Sequence, residues 1–530
     1  MASADAASAD QPAEITVGGS IRPAREIEDR FNFDSARDLT AESGARPDGL
    51  SRRSQESTEA SAGFGRSAGA DDLALNVADQ NVAPAGAYSA GAKSDAGFEI
   101  AAPELERMFV PTDDLFDSQW HLLNAGQLGG IPGIDINVTG VWDDYTGAGI
   151  RVGVIDDGVQ CDHFDLDGNY DPTGQFDYGG NDTDPYPGSS DFHGTAVAGL
   201  IAAEQNGSGV VGAAFDASIT AYRIFGGTVT EAEFADVFNR QADLDVANNS
   251  WGYNGFFFDN LDGALFDSVG TAIDNAVTNG RDGLGTVLLW AAGNDRLEGQ
   301  DVNYHGFQNA RESIAVAAIE NSGEISFYST PGAAILVGAP SNGGSAGIAT
   351  TDRTGSSGYA AGDFTFAFGG TSAATPITAG VVALMLEANP LLGYRDVQEI
   401  LAYSARQVDF HDSSWAYNGA YNWNGGGLHT SHDFGFGLVD AHAAVRLAET
   451  WTDQGTRANE TSISASSAPS QTIFDNQTIT DTISIGSDID IDHVEVALNL
   501  THSYIGDLTV TLTAPDGTES VLVNRPGLGV

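Results

Sequence analysis

Five apolar runs recur through the middle of the chain, each ending in small or polar residues: "GIRVGVID" (149–156), "ASITAYRIF" (217–225), "DVANNSWG" (245–252), "GTVLLWAAGN" (285–294) and "SIAVAAIE" (313–320). Helical stretches such as "GTAVAGLIAAE" (194–204) and "EAEFADVFNRQA" (231–242) lie between them. A strand that is apolar throughout must be covered on both faces, and parallel neighbours need long, usually helical, crossovers. The pattern therefore predicts an α/β domain, a doubly wound and mostly parallel sheet with helices on both faces. In such a sheet the chemistry gathers at the carboxyl ends of the strands.

The 530 residues exceed what one core holds, and the texture changes twice. Residues 1–108 are rich in Ala, Ser, Gly and Asp without sustained periodicity, which predicts a disordered or weakly folded acidic segment. Arg52-Arg53 within it is either a processing site or an incidental pair. The α/β domain spans 109–450, and a Ser/Thr/Asp-rich stretch over 451–490 reads as a linker and the start of the next module. In 491–530, "HVEVALNLTH" and "DLTVTLTAPDGTESVLVNR" alternate apolar with polar residues, and Asp516-Gly517 marks a hairpin turn. This predicts part of an all-β, jelly-roll-like antiparallel module.

With 74 acidic against 22 basic residues, the formal net charge is −52. That field repels nucleic acid and anionic membrane surfaces, and suits a salt- or calcium-rich medium. Cys161 is the only cysteine, so no internal disulfide is available and bound metal is the expected stabiliser. No apolar run is expected to reach membrane-spanning length. The start "MASADAASADQPAE" lacks the basic and apolar regions of an ordinary secretory signal.

Three segments each offer one member of a nucleophilic system. Asp156 ends a strand in "VGVIDDGV", His193 opens a helix in "DFHGTAVAG", and Ser372 opens another in "GGTSAATP". Taken singly, the first two read as a turn and a helix cap. In the third, small flanking residues give a substrate backbone room, and the helix N-terminus favours charge developing beside the serine oxygen. Pro376 is expected in the first turn, where a missing N–H costs nothing. Asn294, after the strand "LLWAAGND", is placed to donate its amide to an oxyanion.

In this order, and with these flanks, the segment from about Asp113 to Ala448 resembles the subtilisin-like serine proteases. The motifs "PTDDLFDSQWHL", "VIDDG", "NNSWG" and "GFGLVDAHAAV" resemble their kexin/furin-like branch. "VALNLTHSYIGDLTVTLTAPDGTESVL" looks like the first half of that branch's P domain. The resemblance implies a serine endopeptidase acting on protein or peptide substrates as a monomer. Ser372 would be the nucleophile, His193 the general base, Asp156 its orienter, and Asn294 the oxyanion donor. It also implies that Asp157 lines the pocket for the residue before the one cleaved, and that Ser250, Trp251 and Gly252 pair with the substrate backbone. Calcium is implied at a loop matching "AAEQNGSGVVG". The ligands would be the Asn206 side chain, the carbonyls of Glu204, Ser208 and Val210, and the carboxylates of Asp113 and Asp165.

The sequence departs from the branch where dibasic specificity resides. Tyr253, Asn254 and Gly255 replace expected acids, Thr330 stands where a second calcium's glutamate belongs, and His305 stands near the pocket's aspartate. Asp301 is a candidate match to another acid of that second site. A buried arginine or lysine without a carboxylate is costly, so dibasic cleavage is not expected. Cys161 is expected to be a packed thiol near the triad. Strong acidity, no disulfide and no leader imply a bacterial protein, secreted or at the cell surface by another route. The rival class is a non-catalytic surface or adhesion protein on a protease-like scaffold. A Ser-Glu-Asp carboxyl-type relative is opposed by the His-Gly-Thr context of His193.

Overall fold

The computed structural model describes residues 13–19, 109–344, 346–419, 427–474, 476–486, 491–515 and 517–529. The rest of the 1–108 segment, including Arg52-Arg53, and Asp516 lie outside the described residues. Strand β1 (Ala13–Gly19) precedes the central strands β2 (Arg151–Asp156), β3 (Phe176–Asp177), β4 (Ser218–Arg223), β5 (Val246–Asn249), β6 (Val287–Ala291), β7 (Ser313–Ile319) and β8 (Ile335–Pro340). The last seven form one sheet in the order β3-β4-β2-β5-β6-β7-β8, every pair parallel. The five apolar runs are its strands β2, β4, β5, β6 and β7; the two edge strands complete it.

Helices α1 (His193–Ala202), α2 (Glu231–Arg240), α3 (Asp267–Asn279), α4 (Gly306–Asn309), α5 (Thr371–Ala388), α6 (Tyr394–Ser404) and α7 (Ala441–Thr450) accompany the sheet. α2 begins at a capping box. The Thr230 hydroxyl accepts from Glu233 N, and the Glu233 carboxylate accepts from Thr230 N, satisfying two otherwise orphaned donors. α1 seats closely on β9 (Ile348–Thr351) because Gly199 has no side chain; a Cβ there would lie 2.2 Å from Thr351 Oγ1. α5 is apolar nearly all round and is buried along almost its whole length. At 18 residues it is long and apolar enough to cross a membrane, contrary to the expectation from sequence, but it is the core helix of this domain.

The chain leaves β2 for β4 on one side and returns to β5 on the other, so the strand order reverses at β2. The crevice at such a reversal is where open α/β sheets place their sites. Asp156 ends β2, and Ser250 directly follows β5 on its other flank.

After β10 (Phe364–Phe368), β11 (Ala416–Tyr417) and β12 (His429–Thr430) come β13 (Thr478–Ile483), β14 (Leu508–Thr513) and β15 (Glu519–Asn524). A second, antiparallel sheet has the order β13-β1-β14-β15. The hairpin between β14 and β15 turns through Gly517, at φ +93°. The 451–490 stretch contributes β13. Two differences from the expected organisation appear. Part of the N-terminal segment, β1, is a strand paired on both edges. "HVEVALNLTH" forms no strand, because alternation supplies an apolar face but not a partner, and no described residue pairs with it. The module touches the α/β domain through β15. Asn303 Nδ2 donates to the Val521 carbonyl at 3.0 Å, and Asn524 N donates to the Tyr304 hydroxyl at 2.8 Å.

Candidate active site

β2 delivers Asp156 to the crevice, 1% exposed. The turn after it needs glycine. Gly158 sits at φ +108°, and a Cβ there would lie 2.6 Å from the Pro185 carbonyl. A Cβ on Gly194 would lie 2.3 Å from the Gly158 carbonyl, so two glycines let the start of α1 approach the end of β2. This approach brings His193 Nδ1 to 2.9 Å from both Asp156 oxygens. A carboxylate only accepts, so Nδ1 carries the proton and Nε2 is left as the basic nitrogen. The ring also lies against the edge of Phe368, 5.4 Å between centroids. Burial would lower the His193 pKa, but the Asp156 charge and hydrogen bond, with the Asp157 charge, hold it above its ordinary value.

Asp157 does not present its carboxylate freely to a ligand. One oxygen accepts from Phe192 N at 2.9 Å and His193 N at 3.0 Å, the other from Gly194 N at 2.7 Å. It caps α1 and so fixes the backbone that carries the histidine. Burial and the neighbouring Asp156 charge push its pKa up to about 7.

Ser372 occupies the first turn of α5, whose entry depends on Gly370 at φ +76°. Gly370 N donates to Asn342 Oδ1 at 2.9 Å and to the Tyr328 hydroxyl at 3.1 Å. Pro376 stands in the second turn, not the first, since α5 begins at Thr371. Its missing N–H frees the Ser372 carbonyl, and the Ser250 hydroxyl donates to that carbonyl at 3.1 Å. Ser372 Oγ in turn donates to the Ser250 carbonyl at 3.2 Å, and makes no hydrogen bond to His193 in this conformation. Rotation about its own Cα–Cβ bond is the freedom a nucleophile needs.

Asn294 follows β6. Its Oδ1 accepts from Thr371 N at 2.9 Å and Thr371 Oγ1 at 3.1 Å, which fixes the amide orientation. Nδ2 has no partner among the described residues, and it stands at the mouth of α5 as a donor for an anion. Ser250-Trp251-Gly252 extends β5. The Trp251 ring is buried among Trp290, Phe307 and Phe234, at centroid distances of 5.5, 5.4 and 5.8 Å. That leaves main-chain groups as what this stretch can offer a ligand.

The other predicted positions are equally committed. His305 is buried between Asp259 Oδ1 and Gln300 Oε1, 3.2 Å from each. Thr330 Oγ1 accepts from Asp295 N at 3.0 Å, and the buried Asp301 accepts from Asn303 N. Cys161 is half-buried, and burial with Asp162 and Asp184 pushes its thiol pKa up, so it stays protonated. Sequence reasoning missed the Ser250 hydroxyl, Asp259 and Gln300, none of which carries a distinguishing local pattern.

The three segments of the calcium reading converge. Asp113 Oδ1 accepts from Asn206 N and Gly207 N at 3.0 Å each, and Asp165 Oδ2 accepts from Val210 N at 3.0 Å. Asn206 Nδ2 donates to Asp165 Oδ1, while Glu204 and Ser208 contribute to the same loop. Both carboxylates are buried, and neither pairs with an Arg or Lys among the described residues. Burial first, then Asp113 and Glu204, push Asp165 up to about 7. The two carboxylates are buried without an Arg or Lys counter-charge and accept four N–H donors from the Asn206–Val210 loop, and their hard oxygens, with the carbonyls of that loop, are of the type a divalent cation such as calcium takes.

Residues 147–437 match the subtilase family, and residues 491–529 match the proprotein convertase P-domain. The human proprotein convertase subtilisin/kexin type 4 is 33% identical over 429 residues, covering 78% of this chain and 54% of that protein. Protease KEX1 of Kluyveromyces lactis is 33% identical over 432 residues, covering 78% and 54%. The chain thus spans about half the length of these relatives. Among solved structures, the serine protease of Aeromonas sobria in complex with its chaperone superimposes with a TM-score of 0.66 at 24% identity. That match covers 82% of this chain and 84% of the other, and shows the shared fold.

Proposed function

The chain belongs to the subtilase family, with a convertase-type P domain behind its α/β domain, and from that premise we propose that it is a serine endopeptidase cleaving peptide bonds through an acyl-enzyme. The observation that carries this is the Asp156–His193 pair at 2.9 Å in the same crevice as Ser372 and Asn294, whose Nδ2 has no partner among the described residues. Ser372 Oγ, turned from the Ser250 carbonyl toward His193 Nε2, gives up its proton as it attacks the scissile carbonyl. Asp156 stabilises the imidazolium that forms. Asn294 Nδ2 and the Ser372 N–H receive the oxyanion at the positive end of α5. His193 then protonates the leaving amine, and water repeats the sequence on the ester.

Because His193 must be neutral to accept the proton, kcat/KM falls as pH drops through its raised pKa. The acid limb of the profile is therefore expected above pH 6.5, the ordinary histidine value. Asp156→Asn removes the largest raising influence, moving that limb downward, and lowers kcat by about 10⁴-fold. A pH–rate profile of both proteins checks it.

Calcium is proposed at Asp113, Asp165, Asn206 and the carbonyls of Glu204, Ser208 and Val210, where it would neutralise the buried charge. Calcium at about 100 times its Kd should add about 2.7 kcal/mol of stability. Melting curves with and without chelator should show that gain in the wild type and lose most of it in Asp165→Asn.

Dibasic specificity is not proposed. Asp157 is engaged as a helix cap, and Asp177 and Asp191 share the guanidinium of Arg223 at 2.8 and 2.6 Å, so each of these acids is already engaged within the protein. The acidic surface and single cysteine favour an exported enzyme working in cation-rich surroundings. A cleavage profile on a mixed peptide library, with calcium and a Ser372→Ala control, tests the function. Cuts made by the wild type alone are the expected result, and equal silence of both would overturn it.

A further inference from the structure

Side chains two apart on a strand point to the same side, so Asn248 on β5 and Ser250 just beyond its end share a face. That face looks onto α5. Asn248 Nδ2 donates to Ser250 Oγ at 3.0 Å, and Ser250 Oγ donates to the Ser372 carbonyl at 3.1 Å. A hydroxyl has one hydrogen, and because the amide supplies its own to the oxygen, that hydrogen is left for the carbonyl. Asn248 is fully buried and Ser250 nearly so, which keeps the pair from turning to bulk water. Within an α-helix the Ser372 carbonyl would accept from residue 376, but that residue is Pro376 and has no N–H. The helix therefore omits one hydrogen bond directly under Ser372, and a side chain from the sheet supplies it. Ser372 Oγ returns a bond to the Ser250 carbonyl at 3.2 Å, so strand end and helix start are joined in both directions.

We infer that the Ser250 side chain, oriented by Asn248, is a positioning residue: its hydroxyl stands in for the helix N–H that Pro376 lacks, and so fixes the turn that presents Ser372 Oγ and the Ser372 N–H to the substrate. This rests on the endopeptidase reading above, which uses only main-chain groups of Ser250, and adds the side chain to it. The N–H and the carbonyl of Ser372 lie on rigid peptide planes hinged at its Cα, so a carbonyl without an anchor lets the residue rock about φ and ψ. The residue before it, Thr371, is already held through its N–H and hydroxyl by Asn294 Oδ1, from the end of β6. Ser250 holds the carbonyl that follows, from the end of β5. Two strand ends thus grip the turn on either side of the nucleophile. Pro376 makes the second grip necessary, because any other residue at that position would satisfy the carbonyl from within the helix.

The test is a double-mutant cycle on the full chain with Ser250→Ala and Pro376→Ala, since alanine at 376 gives the Ser372 carbonyl back its N–H. Active enzyme is counted by covalent titration of Ser372 with an organophosphonate, and a fluorogenic peptide supplies kcat and KM. In the wild-type background Ser250→Ala should lower kcat by about tenfold or more and leave KM within about threefold, because the main chain proposed to pair with substrate is untouched. In the Pro376→Ala background the same change should cost less than about threefold in kcat. A hydroxyl that only fills space would cost the same in both backgrounds, so equal losses overturn the assignment. A Ser250→Ala variant that keeps kcat within about twofold of wild type, or whose loss lies in KM alone, overturns it as well. Those two readings need only the single variant and stand even if Pro376→Ala fails to fold. A wild type that neither cleaves the peptide nor takes the label at Ser372 overturns the endopeptidase reading and the assignment with it.

Discussion

Ser372→Ala lowers peptidase turnover by about 10⁶-fold with little loss of stability. In the proposed mechanism Ser372 and His193 act as one unit, so His193→Ala should cost about as much, and the double variant little more than either alone. Stability should hold because the serine hydroxyl makes a single hydrogen bond, to the Ser250 carbonyl, worth about 1 kcal/mol. The bond that supports the helix opening runs the other way, from the Ser250 hydroxyl to the Ser372 backbone carbonyl, and survives the substitution. Turnover with a fluorogenic peptide and the urea midpoint, measured on the same preparations, separate the two effects. A drop in midpoint as large as that of a core truncation would show that Ser372 is structural.

The second large effect concerns the oxyanion. Asn294 works at two ends: Oδ1 holds Thr371 at the mouth of α5, and Nδ2 is left to donate. Asn294→Ala removes both and should lower kcat by about 10²–10³-fold, with some loss of stability. Asn294→Asp is the more telling change. It retains an acceptor for Thr371 N, so the helix entry stays in place, but it replaces the donor with a negative charge facing the developing oxyanion. Its kcat should fall at least as far as that of the alanine variant, while KM and melting temperature stay closer to wild type. If the aspartate variant kept near-normal kcat, the oxyanion would have to be held elsewhere.

The central sheet was legible because strands buried on both faces are mostly apolar; β6 and β7 are buried throughout and apolar but for Ser313, while β5 ends in the buried Asn248 and Asn249. Edge strands β3 and β8 were not called, one being two residues long and the other ending in Pro340. The residues proposed to be catalytic stood out because each sits at a helix or strand terminus within two positions of a glycine, where local geometry leaves a signature. Pro376 shows the limit of local rules. Its place in the helix depended on where α5 begins, and what compensates it is a hydroxyl 126 positions away in a different motif. Asp259 and the capping role of Asp157 were invisible for the same reason, since they come from partners on other elements. The alternating "HVEVALNLTH" misled because period alone does not supply a neighbouring strand.

The clasp between β15 and residues 303–304 carries a consequence for how the protein is made. The 299–305 stretch also supplies Gln300, which holds the Asn254 carbonyl, and His305, which holds Asp259, so it braces the loop that follows Gly252. Asn303 and Val521 are separated by 218 positions, so this clasp is formed only after the chain has been made as far as residue 521. The crevice can assemble its Asp–His pair earlier, from residues 156 and 193. The brace behind the loop after Gly252 thus waits for residue 521, and if that loop lines the substrate cleft as proposed, its final shape is set later than the Asp156–His193 pair.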